Sequence, residues 1–216
     1  MPGINSQVIG LPGMRAARTV SHRMVTRGGW VPDILPLGRI IAGACSRDPG
    51  NTTDVTRLRA GILMGKISSV VNSLGTVDFY APSILGVTTN AEAVGSTSIQ
   101  ASAAVVTELA RRAGSSGTFK LTGPGAAGGV IVSETVTYSA ASSTNITVTA
   151  IVNNFVAGSF IQPTDGSEDA LTFLPSGTPV IVTDEDSASI DVEFGEIPIG
   201  CVVDSTVWDG RAPAGY

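Results

Sequence analysis

Short segments in which apolar and polar residues alternate run through most of the chain after residue 38. They are rich in Val, Ile and Thr and are separated by Gly, Pro and Asn, a pattern that predicts β-strands joined by turns. The predicted strands are residues 39–45, 58–69, 76–80, 83–88, 118–122, 130–138, 145–151, 155–162, 171–174, 179–183, 189–194 and 201–208. Residues 155–162 could alternatively begin as a helical turn. We therefore predict a mainly β fold, built as a small β-barrel, a β-tulip-like domain or a sandwich.

One segment, residues 97–114, has apolar residues at helical spacing and predicts an α-helix. Thr97 and Gln100 have the spacing of a capping box, in which each side chain satisfies a free backbone N–H. Gly114 can provide the left-handed residue that ends a helix. The apolar stripe consists of Ile99, Ala103, Val106, Ala110 and Ala113.

The first 37 residues predict an extended N-terminal arm, because Pro and Gly interrupt every periodic pattern there. The arm is too apolar for a free tail. It either covers the domain's own surface as a short irregular helix or becomes ordered against a partner, and we expect the second. The residues expected to contact the partner are Arg15, Arg18, Arg23, Arg27, Trp30, Ile34 and Leu35.

The length of 216 residues allows one domain with an arm, or two small domains. We expect residues 38–216 to form the β-rich domain, with residues 115–175 as a candidate inserted β subdomain. Cys45 and Cys201 match no metal or redox spacing, so they are either two buried free thiols or a disulfide. No apolar run approaches the roughly 18 residues of a membrane span, and residues 1–13 lack the pattern of a secretory signal.

Charge is divided between the two ends of the chain. Residues 1–66 have nine basic and three acidic side chains, whereas residues 121–210 have twelve acidic side chains and no Lys or Arg. This asymmetry indicates a basic end that can dock on something and an acidic end that stays solvated. The total charge of −5 and the lack of aromatic residues among the arm's arginines argue against nucleic acid as the partner.

Two glycine-rich segments match nucleotide-binding patterns only superficially. Residues 123–128 read GPGAAG, but a predicted strand follows them, whereas phosphate binding needs a helix N-terminus. Residues 61–66 read GILMGK, which is one residue short of a P-loop, and Ile67 replaces the hydroxyl residue that would bind magnesium. We expect a hairpin loop and a strand, respectively, and no cofactor.

No group of residues in the sequence points to catalysis. The single histidine, His22, lies among the arginines of the arm, where a general base would be poorly positioned. The acidic residues at 165–169 and 184–186 could in principle bind calcium, but neither run has EF-hand spacing. We expect solvated acidic loops there, and a protein that is not an enzyme.

Three stretches point to a known family. Residues 57–67 read RLRAGILMGKI, residues 76–82 read TVDFYAP, and residues 119–138 lead towards AGSFIQPTDG at residues 157–166. Together they resemble the head decoration proteins of tailed bacteriophages, also called cement or head-stabilisation proteins. In that family a strand similar to Arg-Ala-Gly-x-Leu-x-Gly-Lys follows an irregular N-terminal arm and precedes a segment ending near Tyr-x-Pro.

The resemblance implies a β-rich domain that caps capsomer junctions, commonly as a trimer, with its arm on the major capsid protein. We therefore expect a structural virion protein at the outer surface of the capsid. It would form a homotrimer, stabilise the lattice of the major capsid protein and bind neither nucleic acid nor membrane. The alternative is a virion-surface or extracellular binding module without catalysis, for example for glycans.

Overall fold

The computed structural model describes residues 39–59, 61–72, 74–126, 129–174, 180–181, 191–192 and 195–196. The predicted fold class is confirmed: the chain is mainly β, with one helix and a six-stranded sheet that curls into a half-barrel. The predicted arm, His22, Cys201, the acidic residues 184–186 and the predicted strand 201–208 lie outside the described residues.

The described residues form fourteen strands and one helix. The strands are β1 Arg39–Ile40, β2 Arg57–Leu58, β3 Leu63–Lys66, β4 Tyr80–Pro82, β5 Gly86–Val87, β6 Ser98–Gln100, β7 Gly117–Pro124, β8 Ile131–Ser142, β9 Asn145–Val148, β10 Phe160–Gln162, β11 Ala170–Phe173, β12 Val180–Ile181, β13 Asp191–Val192 and β14 Gly195–Glu196. The helix, α1, is Ala103–Ala113.

The largest sheet has the strand order β5-β10-β7-β8-β9-β6, and its strands pair antiparallel. Its two edge strands approach each other, because an antiparallel bridge joins Thr88, just after β5, to Ala101, just after β6. The amide of Thr89 also donates to the carbonyl of Gln100 at 2.8 Å. This contact curls the sheet around the apolar core.

The helix α1 packs against β7 and β8 on the concave side of this sheet. Alternate residues of β8 point inward, so Val136 and Tyr138 are buried while Thr135 and Thr137 are exposed. The Tyr138 hydroxyl donates to the carbonyl of Gly114 at 2.7 Å. The hydrogen bond satisfies a polar group of the buried ring and fixes the end of α1.

A second sheet has the order β14-β11-β3-β4. Ile41 extends it beyond β4 through a parallel bridge to Tyr80. Two short pairs, β1 with β13 and β2 with β12, join N-terminal to C-terminal residues. The stretch 115–175, predicted as a candidate insertion, supplies strands to both larger sheets.

The predicted start of the helix was wrong. Residues Ser98–Gln100 form β6, in which Ile99 lies opposite Ile146, so the apolar side chain of Ile99 is buried by strand pairing. The N-cap is Ser102, whose hydroxyl accepts from the amide of Val105 at 3.3 Å. The predicted end at Gly114 is confirmed by its φ of 95° and by the hydrogen bond that its backbone N–H donates to the carbonyl of Ala110 at 2.9 Å.

The predicted strand at residues 76–80 was also wrong. Asp78 has a φ of 73°, which a strand cannot contain, and the segment is a turn that leads into β4. Gly123 and Pro124, which begin the glycine-rich segment, end β7 opposite the start of β8, because Pro124 pairs with Ile131. Of the P-loop-like residues 61–66, predicted as part of a strand, Leu63–Lys66 form β3, whereas Gly61 lies in a turn with a φ of 88°.

Candidate docking surface

The residues predicted to contact a partner all lie in the arm, outside the described residues. Within the described part, the structure forms a groove between α1 and the loop of residues 47–55, with a volume of about 280 Å³. We call it the α1 groove. It is lined by Arg47, Pro49, Val55, Ala103, Ala104, Thr107, Glu108 and Arg111.

One wall of the α1 groove is a loop held in place by a buried carboxylate. Asp48 is fully buried and accepts two bonds from the Arg59 guanidinium, at 2.6 and 3.0 Å. It also accepts from the amide of Gly50 at 3.2 Å, while its own amide donates to Val55 at 2.8 Å. These bonds keep the apolar side chains of Pro49 and Val55 in position at the groove.

The other wall is the first half of α1. The buried face of the helix, with Val105 and Leu109, packs into the core. Ala103, Ala104 and Thr107 therefore face outward, and all three are exposed. Their short side chains leave room beside the helix, and Val55 on the opposite wall is 40% exposed.

The floor of the α1 groove carries charge. The Arg111 guanidinium makes two bonds of 2.8 Å to the Glu108 carboxylate, and it also donates to the carbonyl of Ala44. The Arg47 guanidinium donates to the carbonyls of Gly43, at 2.9 Å, and Ser46, at 2.6 Å.

Burial lowers the pKa of Arg47 below its ordinary value, and the positive charge of Arg111 lowers that pKa further. The Arg111 guanidinium is paired with Glu108, and Arg47 is only 7% exposed.

The acidic loop at residues 165–169 was predicted to be solvated, and this is wrong for its first half. Asp165 is 3% exposed because its carboxylate pairs with Arg112 of α1, at 2.9 Å. Ser167 is fully buried and donates to the same carboxylate at 2.6 Å. Only Asp169, whose side chain is 80% exposed, behaves as predicted.

Cys45 is a free, buried thiol, in agreement with one of the two alternatives considered for it. Burial raises the pKa of this thiol. In the described part of the chain, no three His, Cys, Asp or Glu side chains are grouped so that they could hold a metal ion. In the part of the chain that the structure describes, no helix is long and apolar enough to cross a membrane.

The sequence analysis did not identify the α1 groove. One of its features could have been predicted from the sequence: Glu108 and Arg111 are three residues apart on a predicted helix, which is the spacing of a helical ion pair. The position of Arg47 could not have been predicted from the sequence, since it depends on how residues 43–59 fold back against α1.

Comparisons with models of protein families, with curated proteins and with solved structures find no match for this chain.

Proposed function

We propose that this protein is a head decoration protein of a tailed bacteriophage. It binds the outer surface of the capsid as a homotrimer and stabilises the lattice of the major capsid protein, without catalysing a reaction. The arm of residues 1–37 makes the main contact with the shell. The β-rich domain then lies outside the shell, over the junction between capsomers.

The proposal is supported by the way the three family-like stretches come together. β3, within the stretch 57–67, pairs with β4, the end of the stretch 76–82, through Met64–Pro82, Gly65–Ala81 and Lys66–Tyr80. The carbonyl of Asp165, from the third stretch, accepts from the amides of Ser68 and Ser69, which directly follow the first stretch, at 2.8 and 3.0 Å. Stretches far apart in sequence thus build one compact structural unit, as a common family pattern would require.

Charge supports the proposed orientation. The arm has four arginines and one acidic residue, whereas residues 121–210 have a net charge of −12. Copies packed closely on a shell repel each other through their acidic regions over a Debye length, about 8 Å at physiological salt. The repulsion is smallest when the basic arm faces the shell and the acidic loops diverge outward.

Strand edges support the proposed trimer. In the described part of the chain, β14 pairs with β11 on one side only. An open strand edge is a site for pairing with another chain, and closed symmetric oligomers commonly cover such edges. A neighbouring copy on the shell can cover this one.

The experiment is a binding assay on heads assembled without the protein. The purified chain is added to these heads, and occupancy is measured by electron microscopy together with the temperature at which the shells open. We expect three copies around each occupied site and a higher opening temperature. Heads that stay bare at saturating protein would refute the proposal, and binding to cell-surface glycans instead would favour the alternative module.

A further inference from the structure

Three loops meet at one end of the six-stranded sheet. They are residues 89–96, residues 151–158 and the described residues of the β7–β8 hairpin, 124–126 and 129–131. The amide of Gly95 donates to the carbonyl of Ile151 at 2.8 Å. The amide of Val156 donates to the carbonyl of Pro124 at 3.1 Å. These bonds join the three loops into one surface, which we call the loop tip.

The loop tip exposes large apolar side chains. Of the seven large apolar residues that are exposed in the described part of the chain, four lie here: Val94, Val130, Ile131 and Val152. Val130 is 84% exposed and Val152 is 69% exposed. Exposed apolar residues that are grouped in one place mark an interaction surface.

Polar contacts hold these apolar side chains in place. The Glu134 carboxylate accepts from the amide of Val152 at 2.9 Å and from the amide of Asn153 at 3.1 Å. The side-chain oxygen of Asn154 accepts from the amide of Val94 at 3.0 Å. The loop backbones are thus ordered before a partner arrives, which reduces the entropy that is lost on binding.

The three loops expose no charged side chain. They contain one charged residue, Glu92, and that residue is buried. The Glu92 carboxylate accepts from the amide of Gln100 and from the hydroxyl of Ser96, both at 3.1 Å. Copies of a chain with a net charge of −5 repel each other. An uncharged surface is therefore where two copies can approach most closely.

We propose that the loop tip is the contact between copies of this chain, and that it lies at the symmetry axis of the homo-oligomer. A side chain beside a symmetry axis faces the same side chain of the next copy. A charge there would face a like charge, whereas the exposed valines can bury one another. This inference rests on the homotrimer of the proposed function, but it does not require the shell.

Other partners fit the loop tip less well. Protein surfaces that bind lipid usually carry tryptophan, tyrosine, lysine or arginine at the membrane interface. The three loops contain none of these residues, and their one phenylalanine, Phe155, is buried. A charged partner would find no ion pair there. A second copy presents the same uncharged apolar surface and so matches it.

The test is sedimentation equilibrium of the purified full chain over a rising series of protein concentrations. We expect the parent to associate reversibly. Val130→Lys and Val152→Lys each place a charge where it would meet its own copy, so each should raise the dissociation constant about tenfold or more. Each added lysine also makes the net charge of the chain less negative, which reduces the general repulsion between copies. Weaker association in these variants therefore reports on the loop tip itself.

Thr147→Lys is the matched control, because it changes the net charge in the same way at an exposed position far from the tip. Thr147 lies in β9 and pairs with Ala140, towards the opposite end of β8. Its association should stay as strong as that of the parent or increase slightly. Equal association of Val130→Lys, Val152→Lys and Thr147→Lys would overturn the placement at the loop tip. Val130→Thr, which keeps the side-chain shape, should weaken association less than Val130→Lys.

The remaining outcomes separate this proposal from the proposed function. A parent chain that stays monomeric at its highest soluble concentration would overturn self-association through the loop tip, while its binding to undecorated heads still tests the proposed function. If that monomeric chain binds heads and Val130→Lys does not, the loop tip contacts the shell protein instead. Flotation of the parent, but not of Val130→Lys, with vesicles of neutral phosphatidylcholine would assign the tip to lipid and overturn the proposal.

Discussion

Arg112 of α1 and Asp165 of the loop after β10 form an ion pair at 2.9 Å in which neither side chain is more than 5% exposed. Arg112 also donates to the carbonyl of Pro82 in β4 at 2.7 Å and to the hydroxyl of Ser167. The Arg112 side chain thus connects α1, which packs on the six-stranded sheet, to β4 of the second sheet and to the loop between β10 and β11. The pair fixes how the two sheets meet.

Replacing one partner of this pair should destabilise the fold strongly. Arg112→Met leaves the Asp165 carboxylate buried without its counter-charge, and breaking a buried pair in this way costs about 3–5 kcal/mol. The measurement is the free energy of unfolding in urea. Arg57→Met, which removes an exposed pair with Asp54, should change the free energy of unfolding far less, because solvent screens that pair. If the two substitutions lowered the free energy of unfolding equally, the buried Arg112–Asp165 pair would not stabilise the fold more than an exposed pair does.

Removing both charges is a second test of whether the Arg112–Asp165 ion pair stabilises the fold. Arg112→Met combined with Asp165→Leu leaves no uncompensated charge, so the double variant should be more stable than Arg112→Met alone. The coupling between the two sites follows from a double-mutant cycle. A strictly additive result would contradict the ion pair.

A close contact between Gly86 in β5 and Val105 in α1 leads to a second prediction. A Cβ atom on residue 86 would lie 2.1 Å from a methyl carbon of Val105. Gly86→Ala should therefore cost about 1–3 kcal/mol, the usual effect of overpacking a core. Adding Val105→Ala makes room, so the double variant should lose less free energy of unfolding than the sum of the two single variants.

Gly125→Ala is the matched control for this substitution. A Cβ there would lie 3.6 Å from its nearest neighbour, the carbonyl oxygen of Asn154, which is an ordinary contact. We expect its unfolding free energy to stay close to that of the parent. A Gly125→Ala protein as unstable as Gly86→Ala would mean that the cost does not come from the contact with Val105.

Cys45 gives a prediction about alkaline pH. Burial raises the pKa of its thiol above the ordinary value of 9.0, so the folded state favours the neutral thiol. The resulting stability is complete below pH 9.0 and is lost as the pH rises through the higher folded pKa. The free energy of unfolding should therefore fall above pH 9 in a Cys201→Ser background, and Cys45→Ala should make that fall shallower.

Tyr138 should also contribute to the loss of unfolding free energy at alkaline pH, because burial raises the pKa of its hydroxyl above 10.0. Cys45→Ala should therefore reduce the pH dependence without abolishing it. Alkylation gives an independent measurement: at pH 8, Cys45 in the Cys201→Ser protein should react far more slowly with iodoacetamide than a free cysteine does. Fast alkylation of the folded protein would contradict the buried thiol.

The long strands β7 and β8 could be predicted from the sequence because their signals are local. The alternation of buried and exposed residues in β8 and the turn between β7 and β8 both appear in short windows of sequence. The end of α1 at Gly114 has an equally local cause. These features needed no knowledge of the tertiary structure.

The failures have non-local causes. Ile99 fits a helical stripe and a strand equally well, and its pairing with Ile146, far along the chain, decides between them. Asp165 was predicted to be solvated because its partner Arg112 lies 53 residues away. The α1 groove likewise depends on the packing of a loop against a helix. Local patterns do not contain this information.

The final prediction concerns the docking of the arm on a shell, and it follows from the proposed function. If arginine side chains of the arm pair with the shell, binding should weaken as salt rises, because the screening length falls from about 10 Å at 0.1 M to about 3 Å at 1 M. The weakening should be moderate, since burial of Trp30, Ile34 and Leu35 does not depend on screening.

Two arm variants separate these contributions, with affinity for undecorated shells measured across a salt series. Replacing Arg15, Arg18, Arg23 and Arg27 by Gln should weaken binding at low salt and flatten the salt dependence. Trp30→Ala should weaken binding at every salt concentration and leave the slope unchanged, because it removes apolar contact alone. Arg57→Gln, in the described domain, keeps the arm intact and is the control for a general loss of positive charge. If Arg57→Gln flattens the slope as much as the four arm substitutions do, the charge-assisted contact is not made by the arm.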